Sequence, residues 1–300
     1  MQENSSQEVE GKKDQQSDDD GGSVFEDIGV LFDENRRGTT RRHQFRKKND
    51  TETDPETEAD VIQVAVNSID DDPGSLQSGN YLWPGAMLLS KYLVENSPAF
   101  LPRPNPKSIL ELGAGTAMVS LVALQLYHTS LQCMFITDHD RSTLERARDN
   151  YETTLQDLYE QATNDGRDVE EQQFNVINEI GSISVEFQSL EWGEKGDIDI
   201  LRKTARDHVD PTVFDVVLMS DVIYSRDVVS PLFATATSSL NRVTGVILLS
   251  QSFPFDEETE NEISDCCKED GLTQSVLFDR KDGYKIRKFM ASSAVEMNKI

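Results

Sequence analysis

The chain contains 300 residues and carries a formal net charge of −26. Because binding to phosphate backbones needs an excess of cationic side chains, this charge argues against a general nucleic-acid-binding surface. No apolar run approaches the ~20 residues that span a bilayer, and the opening MQENSSQEVEGKKDQQSDDD lacks the apolar core of a secretory signal. Three cysteines and four histidines show neither a disulfide framework nor metal-ligand spacing, so we expect a cytoplasmic protein with no metal site.

Residues 1–75 are rich in Asp, Glu, Ser and Gln and poor in large apolar residues. Such a segment cannot bury enough apolar surface to offset the entropy of ordering, so we predict a disordered acidic tail. Within it, residues 36–48 (RRGTTRRHQFRKK) form a basic island with seven Lys or Arg and no acid. The island has three interpretations: a nuclear import signal, a partner-docking segment or a solvated block of charge. Weak alternation over residues 59–70 predicts an edge strand or one arm of a hairpin.

From residue 76 to residue 300 the pattern predicts one folded domain in which helices alternate with short buried strands. Pro84 lies where a first helical turn favours proline, in the first of three predicted helices: WPGAMLLSKYLVEN, AMVSLVALQLYH and DRSTLERARDNYETTLQDLYEQ. Five segments predict strands: SILELG, LQCMFITD, SISVEFQSLEW, FDVVLMSD and TGVILLSQ. This alternation predicts parallel βαβ units and an α/β sheet covered by helices on both faces.

The end of the chain departs from this rhythm. SVLFDRKDGYKIRKFMAS predicts two strands around Asp282-Gly283, a strong signal for an antiparallel hairpin. Residues 160–180 are acidic and weakly patterned, so we predict a surface loop inserted into the domain, which costs only modest closure entropy.

A glycine-rich turn lies between the first predicted strand and the helix that follows it. The dinucleotide-binding frame G-x-G-x-x-G/A would put Met118 where close packing of helix on strand requires Gly or Ala, which argues against a nicotinamide cofactor. The frame acid-x-Gly-x-Gly-x-Gly fits better, as Glu111, Gly113, Gly115 and, in place of the last glycine, Ala117. Asp138 ends the next strand near the offset at which a carboxylate binds a ribose; capping the following helix is its alternative role.

Three more motifs surround this turn in chain order. Trp83-Pro84 precedes it, SLEWGE (189–194) follows the third predicted strand, and Asp221-Val222-Ile223-Tyr224 follows the fourth. Together they resemble the family-16 seven-stranded protein lysine methyltransferases, and the resemblance covers residues 78–290 apart from the insertion. It implies a Rossmann-like class I methyltransferase fold, with a seven-stranded, mostly parallel sheet that ends in a C-terminal antiparallel hairpin.

The resemblance also implies roles for individual residues. Asp138 would hold the ribose of S-adenosylmethionine, Trp192 would flank its adenine, and Ser220 would contact it through its backbone. The complete set of implied cofactor-binding residues is Trp83, Glu111, Gly113, Ala114, Gly115, Asp138, Trp192 and Ser220. Asp221 and Tyr224 would be catalytic, because a carboxylate and a phenol can position an amine for in-line attack. Core packing is the alternative for the two tryptophans, and helix capping is the alternative for Asp221.

The activity implied by the resemblance is transfer of methyl groups from S-adenosylmethionine to a lysine side chain of a protein substrate. Transfer to another nitrogen, on arginine, histidine or a small amine, is one alternative, and a non-catalytic interaction protein that keeps the fold is the other. We expect a monomer that binds neither nucleic acid nor membrane. The basic island leaves nuclear localisation open beside the cytoplasm.

Overall fold

The structure is a computed structural model that describes residues 38–47, 61–69, 75–97, 99–101, 104–164, 178–206, 208 and 213–292. The described residues form a seven-stranded sheet with helices on both faces and a separate two-stranded sheet. Within them, no helix is long and apolar enough to cross a membrane.

The strands of the seven-stranded sheet are β3 (Ser108–Leu112), β4 (Cys133–Asp138), β5 (Ser184–Ser189), β6 (Val216–Ser220), β7 (Val246–Gln251), β8 (Leu272–Asp279) and β9 (Lys285–Ala291). They lie side by side in the order β5-β4-β3-β6-β7-β9-β8. The first five run parallel to one another, whereas β9 pairs antiparallel with both β7 and β8. The predicted fold class, a mostly parallel seven-stranded sheet that ends in an antiparallel hairpin, is therefore confirmed.

The central strands form where the sequence has short continuous apolar runs. Every residue of β3, β4, β6 and β7 is buried, as expected for strands covered on both faces. The C-terminal hairpin turns at Gly283, whose φ of 97° is a conformation that favours glycine, and Arg280 N donates to Tyr284 O at 2.8 Å.

In the described part of the chain, six helices of at least 10 residues cover the sheet in two groups of three. They are α1 (Pro84–Asn96), α2 (Met118–Tyr127), α3 (Arg141–Asn164), α4 (Lys195–Arg206), α5 (Val229–Ser239) and α6 (Glu257–Glu269). Helices α1, α2 and α3 contribute to one apolar cluster, and α4, α5 and α6 contribute to a second cluster on the other face of the sheet. Helix α1 begins at Pro84, in the position predicted from the sequence.

Two described segments within residues 1–75 form strands. β1 (Thr39–Arg46) comes from the basic island, where the predicted disorder is wrong, and it pairs antiparallel with β2 (Val61–Ser68). β2 lies within residues 59–70, where an edge strand or one arm of a hairpin was predicted, and its Val64, Ala65 and Val66 are buried.

Side chains of α3 complete the hydrogen bonding of β2. Thr154 Oγ1 accepts from Ala65 N at 3.0 Å, and Asn150 Oδ1 accepts from Asn67 N at 2.7 Å. These polar side chains of α3 therefore satisfy backbone groups on the edge of β2 that faces away from β1. Residues 1–37, 48–60 and 70–74 and most of the predicted insertion lie outside the described residues, although α3 extends into the insertion as far as Asn164.

Candidate active site at the carboxyl edge of the sheet

The carboxyl ends of β3, β4 and β6 meet at one edge of the sheet. β3 lies between β4 and β6, so the chain connections diverge here, and open α/β sheets bind ligands at such a switch in strand order. The glycine-rich turn follows β3, Asp138 ends β4, and Ser220 ends β6 with its side chain buried. The fold therefore brings residues from three distant parts of the sequence to one edge.

The turn between β3 and α2 uses the left-handed backbone region at alternate residues. Gly113, Gly115 and Ala117 have φ values of 66°, 54° and 60°. Ala114 N donates to Thr137 O at 2.9 Å, which ties the turn to the neighbouring strand β4. Alanine in this region costs about 1–2 kcal/mol relative to an ordinary conformation, so Ala117 carries strain that glycine would avoid, yet it forms the same turn.

Glu111 braces the turn from inside the protein. Its carboxylate accepts hydrogen bonds from Ser120 N at 3.2 Å and from Ser120 Oγ at 2.5 Å, which caps the first turn of α2. The pKa of Glu111 is raised to about 7, because burial and, to a smaller extent, the charge of Asp138 outweigh the lowering by the bonds from Ser120. Glu111 thus contacts the protein itself, and its predicted part in cofactor binding stays a prediction.

Asp138 lies directly beside the turn. Its Oδ2 accepts from Gly115 N at 3.1 Å, and its Oδ1 accepts from Asp140 N at 3.2 Å. His139 Nδ1 lies 3.3 Å from the same Oδ1, and this hydrogen bond raises the pKa of His139. The carboxylate is therefore held between the turn and the start of α3. Asp140 caps that helix, because its Oδ1 accepts from Ser142 N at 2.7 Å, and the ribose-binding role of Asp138 stays a prediction.

The two tryptophans lie on different sides of the turn. A side chain at Gly113 would place its Cβ 2.9 Å from Trp192 Cζ2, so the indole of Trp192 packs directly against this glycine. Trp83 Nε1 donates to Ser78 O at 2.8 Å. The carbonyl of the next residue, Gly79, lies close to Gly115, since a Cβ on Gly115 would be 3.1 Å from its oxygen. Trp83 thus holds the short 3-10 helix Ser75–Asn80 over the turn.

Asp221 joins three elements through one carboxylate. Its Oδ2 accepts from Gly85 N at 2.6 Å and from Ser252 Oγ at 2.8 Å, and its Oδ1 accepts from Ser252 N at 2.7 Å. Asp221 has a φ of 50°, a left-handed conformation that Asp tolerates better than most residues. Burial raises its pKa, and the three hydrogen bonds lower it. The alternative role predicted for Asp221 was to cap the following helix. Asp221 instead caps the distant helix α1, because it accepts from Gly85 N in the first turn of that helix.

Tyr224, three residues later, has 71% of its surface exposed. Ser220 pairs with Ser250 across β6 and β7, and Asp221 N donates to Ser250 O at 3.0 Å. Val222, the residue after Asp221, lies beside the turn, since a Cβ on Gly113 would be 2.7 Å from Val222 Cγ1. The catalytic roles of Asp221 and Tyr224 stay predictions.

Gly85 and Ser252, which donate hydrogen bonds to the carboxylate of Asp221, were not predicted from the sequence. Gly85 has no room for a side chain, because a Cβ there would lie 2.5 Å from Asp221 Cγ. A signal for Ser252 was present in the polar residues that end TGVILLSQS, since they occupy the carboxyl end of a buried strand. Gly85 follows Pro84 in the first turn of a helix, and no pattern in the sequence indicates its distant partner.

A buried arginine supports the loop that carries Ser252. Arg287 Nη2 donates to Gln251 Oε1 at 2.8 Å, and Gln251 Nε2 donates to Phe253 O at 2.7 Å. Arg287 Nη1 also donates to Glu260 Oε2 at 2.7 Å, so its charge is paired. Charge-assisted hydrogen bonds of this kind are stronger than neutral ones, so they stabilise the conformation of the partly exposed loop after Gln251.

Comparison with known proteins agrees with this arrangement. A model of the lysine methyltransferase family matches residues 65–165 and 163–260, well over half of the chain. The protein-lysine N-methyltransferase EFM3 of Saccharomyces cerevisiae is 41% identical over 66 residues, which are 21% of this chain and 20% of EFM3. The matched segment therefore spans about a fifth of that relative.

Solved structures of methyltransferases are similar to this chain at low sequence identity. The rRNA methyltransferase aviRa from Streptomyces viridochromogenes is 15% identical, with 72% of this chain and 90% of that chain covered and a TM-score of 0.46. A methyltransferase from Pyrococcus furiosus is 18% identical, with coverage of 68% and 81% and a TM-score of 0.42. SMU.776, described as a putative methyltransferase complexed with SAH, is 14% identical, with coverage of 76% and 53% and a TM-score of 0.46.

We expect Gly113→Ala to lower the free energy of unfolding by more than about 1–2 kcal/mol, the usual cost of a left-handed alanine. The added Cβ would also lie 2.7 Å from Val222 Cγ1 and must displace it or Trp192. Gly196→Ala is the control, because nothing lies within 4 Å of a Cβ there and the residue is in helix α4, so stability should hold or rise. Urea unfolding compares the two; equal effects would contradict the assigned turn geometry.

Glu111 should make the stability of the protein fall as the pH rises. Its folded-state pKa of about 7 lies above its ordinary value of 4.5, so its contribution is present below pH 4.5 and is lost as the pH passes through about 7. The loss is roughly 3 kcal/mol from the size of the shift. Glu111→Gln should remove this part of the pH dependence in urea unfolding at several pH values. Glu152→Gln, an exposed site on α3, should not; the same pH profile in both variants would contradict the assignment.

Proposed function

The chain belongs to the lysine methyltransferase family, and we propose that it transfers a methyl group from S-adenosylmethionine to a lysine side chain of another protein. Membership confirms the resemblance found in the sequence, and S-adenosylmethionine is the cofactor of this methyltransferase. The protein acceptor is part of the proposal, and it is supported above all by the arrangement of Asp221 and Tyr224 at the carboxyl edge of the sheet.

The residues at this edge fit the cofactor chemically. S-adenosylmethionine supplies an electrophilic methyl group on a positively charged sulfur. Asp138, held beside the turn by Gly115 N, offers a carboxylate for ribose hydroxyls. The indole of Trp192 against Gly113 offers an apolar face for adenine, and the N-terminal end of α2 suits the carboxylate of the methionine part.

The carboxylate of Asp221 has one acceptor position left for a substrate amine. A carboxylate has about four lone-pair sites, and three of them are filled by Gly85 N, Ser252 N and Ser252 Oγ. The remaining site on Oδ1 can accept a hydrogen bond from a lysine nitrogen and fix its direction of approach. Because the three donors hold the group rigidly, orientation supplies much of the expected rate.

The amine must be neutral to attack. The pKa of Asp221 is raised by burial, which makes this carboxylate a better proton acceptor than an exposed aspartate. Tyr224 follows Asp221 by three residues and is exposed, so its ring is accessible to the aliphatic part of an incoming lysine. A protein side chain reaches such an exposed group more readily than it would reach a buried one.

Ala117 and the acidic insertion over residues 160–180 are the two sequence features that favour a non-catalytic protein. The φ of 60° at Ala117 shows that alanine adopts the conformation the turn needs, so this departure from the family pattern does not break the turn. The cytoplasm, the monomeric state and the absence of nucleic-acid binding remain proposals from composition. Nuclear import through residues 36–48 remains the alternative for location.

We expect Asp221→Asn to lower methyl transfer by at least about 100-fold, because a poorly oriented amine loses rate on that scale. Asparagine tolerates the left-handed backbone at this position, so the fold should persist. The assay combines purified protein, labelled S-adenosylmethionine and a cell lysate, and total acid hydrolysis of the labelled band should release methyllysine. Affinity for S-adenosylhomocysteine, measured by calorimetry, should stay unchanged.

Ser252→Ala is the matched control, because it removes one donor and leaves the carboxylate in place, and its loss of activity should be smaller. Full labelling by Asp221→Asn would contradict the role of the carboxylate. Release of methylarginine or methylhistidine instead of methyllysine would contradict the proposed acceptor.

Tyr224→Ala should lower labelling of the protein band while changing the free energy of unfolding by no more than about 0.5 kcal/mol, as is usual for exposed positions. Tyr159→Ala is the control, since Tyr159 has 51% of its surface exposed on α3, away from the carboxyl edge. Labelling and the free energy of unfolding are measured for both variants, so that a loss of substrate positioning is distinguished from a loss of folded protein. Equal labelling by the two would show that Tyr224 does not act on the substrate.

A further inference from the structure

A groove of about 610 Å³ lies between the end of β1, helix α1 and the turn of the β8–β9 hairpin. We call it the basic groove and define it by Phe45, Arg46, Leu88, Lys91 and Arg280 together with their neighbours. It involves the basic island and the terminal hairpin, neither of which has a role in cofactor binding.

The floor of the basic groove is apolar. Helix α1 and the segment just before it contribute Leu82, Pro84, Met87 and Leu88, and β1 contributes Phe45. Four of these side chains remain partly exposed, and only Phe45 is buried. An apolar strip of this kind can bind the apolar side chains of an extended or helical segment.

The rim of the basic groove is cationic. Arg46, Lys91 and Arg280 line it, against one acid, Glu95. Lys91 Nζ lies 3.8 Å from Glu95, and Arg280 Nη2 lies 2.6 Å from Asp282, but exposed pairs like these contribute only about 0–1 kcal/mol. A ligand carboxylate can therefore replace them at little cost. The net charge of this rim is positive, whereas the net charge of the whole chain is −26.

The basic groove borders the site where the acceptor amine would be held. Pro84 lines the groove, and the next residue, Gly85, donates its N–H to Asp221 at 2.6 Å. At the other end, Gly283 of the hairpin turn packs against Pro254, two residues after Ser252. A segment bound in the groove thus runs past the elements that position Asp221.

We propose that the basic groove binds a segment of the protein substrate in which acidic and apolar side chains alternate, next to the acceptor lysine. This rests on the proposed function and adds to it a class of substrate sequence. Apolar side chains would cover the floor while carboxylates meet Arg46, Lys91 and Arg280. A protein segment is favoured over a nucleic acid or an anionic membrane, because the strongly negative chain repels large polyanionic surfaces whereas a short acidic segment reaches the rim alone.

Two fluorescein-labelled peptides test this in fluorescence anisotropy titrations at ~0.1 M salt. One alternates Glu with Leu and Phe, and the other has Lys in place of each Glu. The wild type should bind the acidic peptide at least about tenfold more tightly, and the double variant Arg46→Glu/Lys91→Glu should lose that preference through like-charge repulsion. Lys203→Glu/Arg206→Glu makes the same charge change on exposed residues of α4, on the opposite face, and should leave binding unchanged.

The acidic peptide should also inhibit labelling of the methylated protein band, and the Lys-containing peptide should not. Equal binding of the two peptides, a preference for the basic peptide, or no effect of the groove variant would overturn the proposal. Displacement of the acidic peptide by a single-stranded oligonucleotide or by anionic vesicles at lower concentration than by unlabelled peptide would overturn it as well. Failure of the proposed function looks different, because no protein band would then release methyllysine on acid hydrolysis, whatever the peptides do.

Discussion

The carboxylate of Asp221 is the interaction on which the acceptor side of the site depends. It accepts from Gly85 at the start of α1 and from Ser252 after β7, while its own backbone follows β6. One side chain therefore holds three elements that are far apart in the sequence. A buried carboxylate is stable only when such donors surround it, so the network that satisfies its charge also fixes its direction.

The cofactor side depends on a second constraint, the left-handed turn after β3. Gly113 and Gly115 both have positive φ there; a Cβ on Gly113 would collide with Val222 and Trp192, and one on Gly115 would lie close to the carbonyl of Gly79. Glu111 stabilises the same turn from below, at the cost of a pKa raised by burial. Strain at Ala117 and the buried acid are local costs that the surrounding packing offsets, which is common where a binding site is built.

Much of the fold could be predicted, because the five parallel strands and the terminal hairpin each have a local signal in apolar runs or in Asp282-Gly283. The prediction failed for Thr39–Arg46, where average composition masked a strand whose partner, Val61–Ser68, is itself paired on its other edge by Asn150 and Thr154. Propensity in a short segment is overridden by tertiary hydrogen bonds of this kind, which composition does not contain.

By itself the sequence determined the order of the elements, the glycine-rich turn and the motifs Trp83-Pro84 and Asp221-x-x-Tyr224, since each is a local pattern of a few residues. Only the tertiary structure decided what those motifs contact. It paired Asp221 with Gly85 and Ser252, turned Glu111 inward to Ser120, and brought the basic strand beside α1. The physical reason is that parallel strands gather their carboxyl ends at one edge, where residues distant in sequence become neighbours.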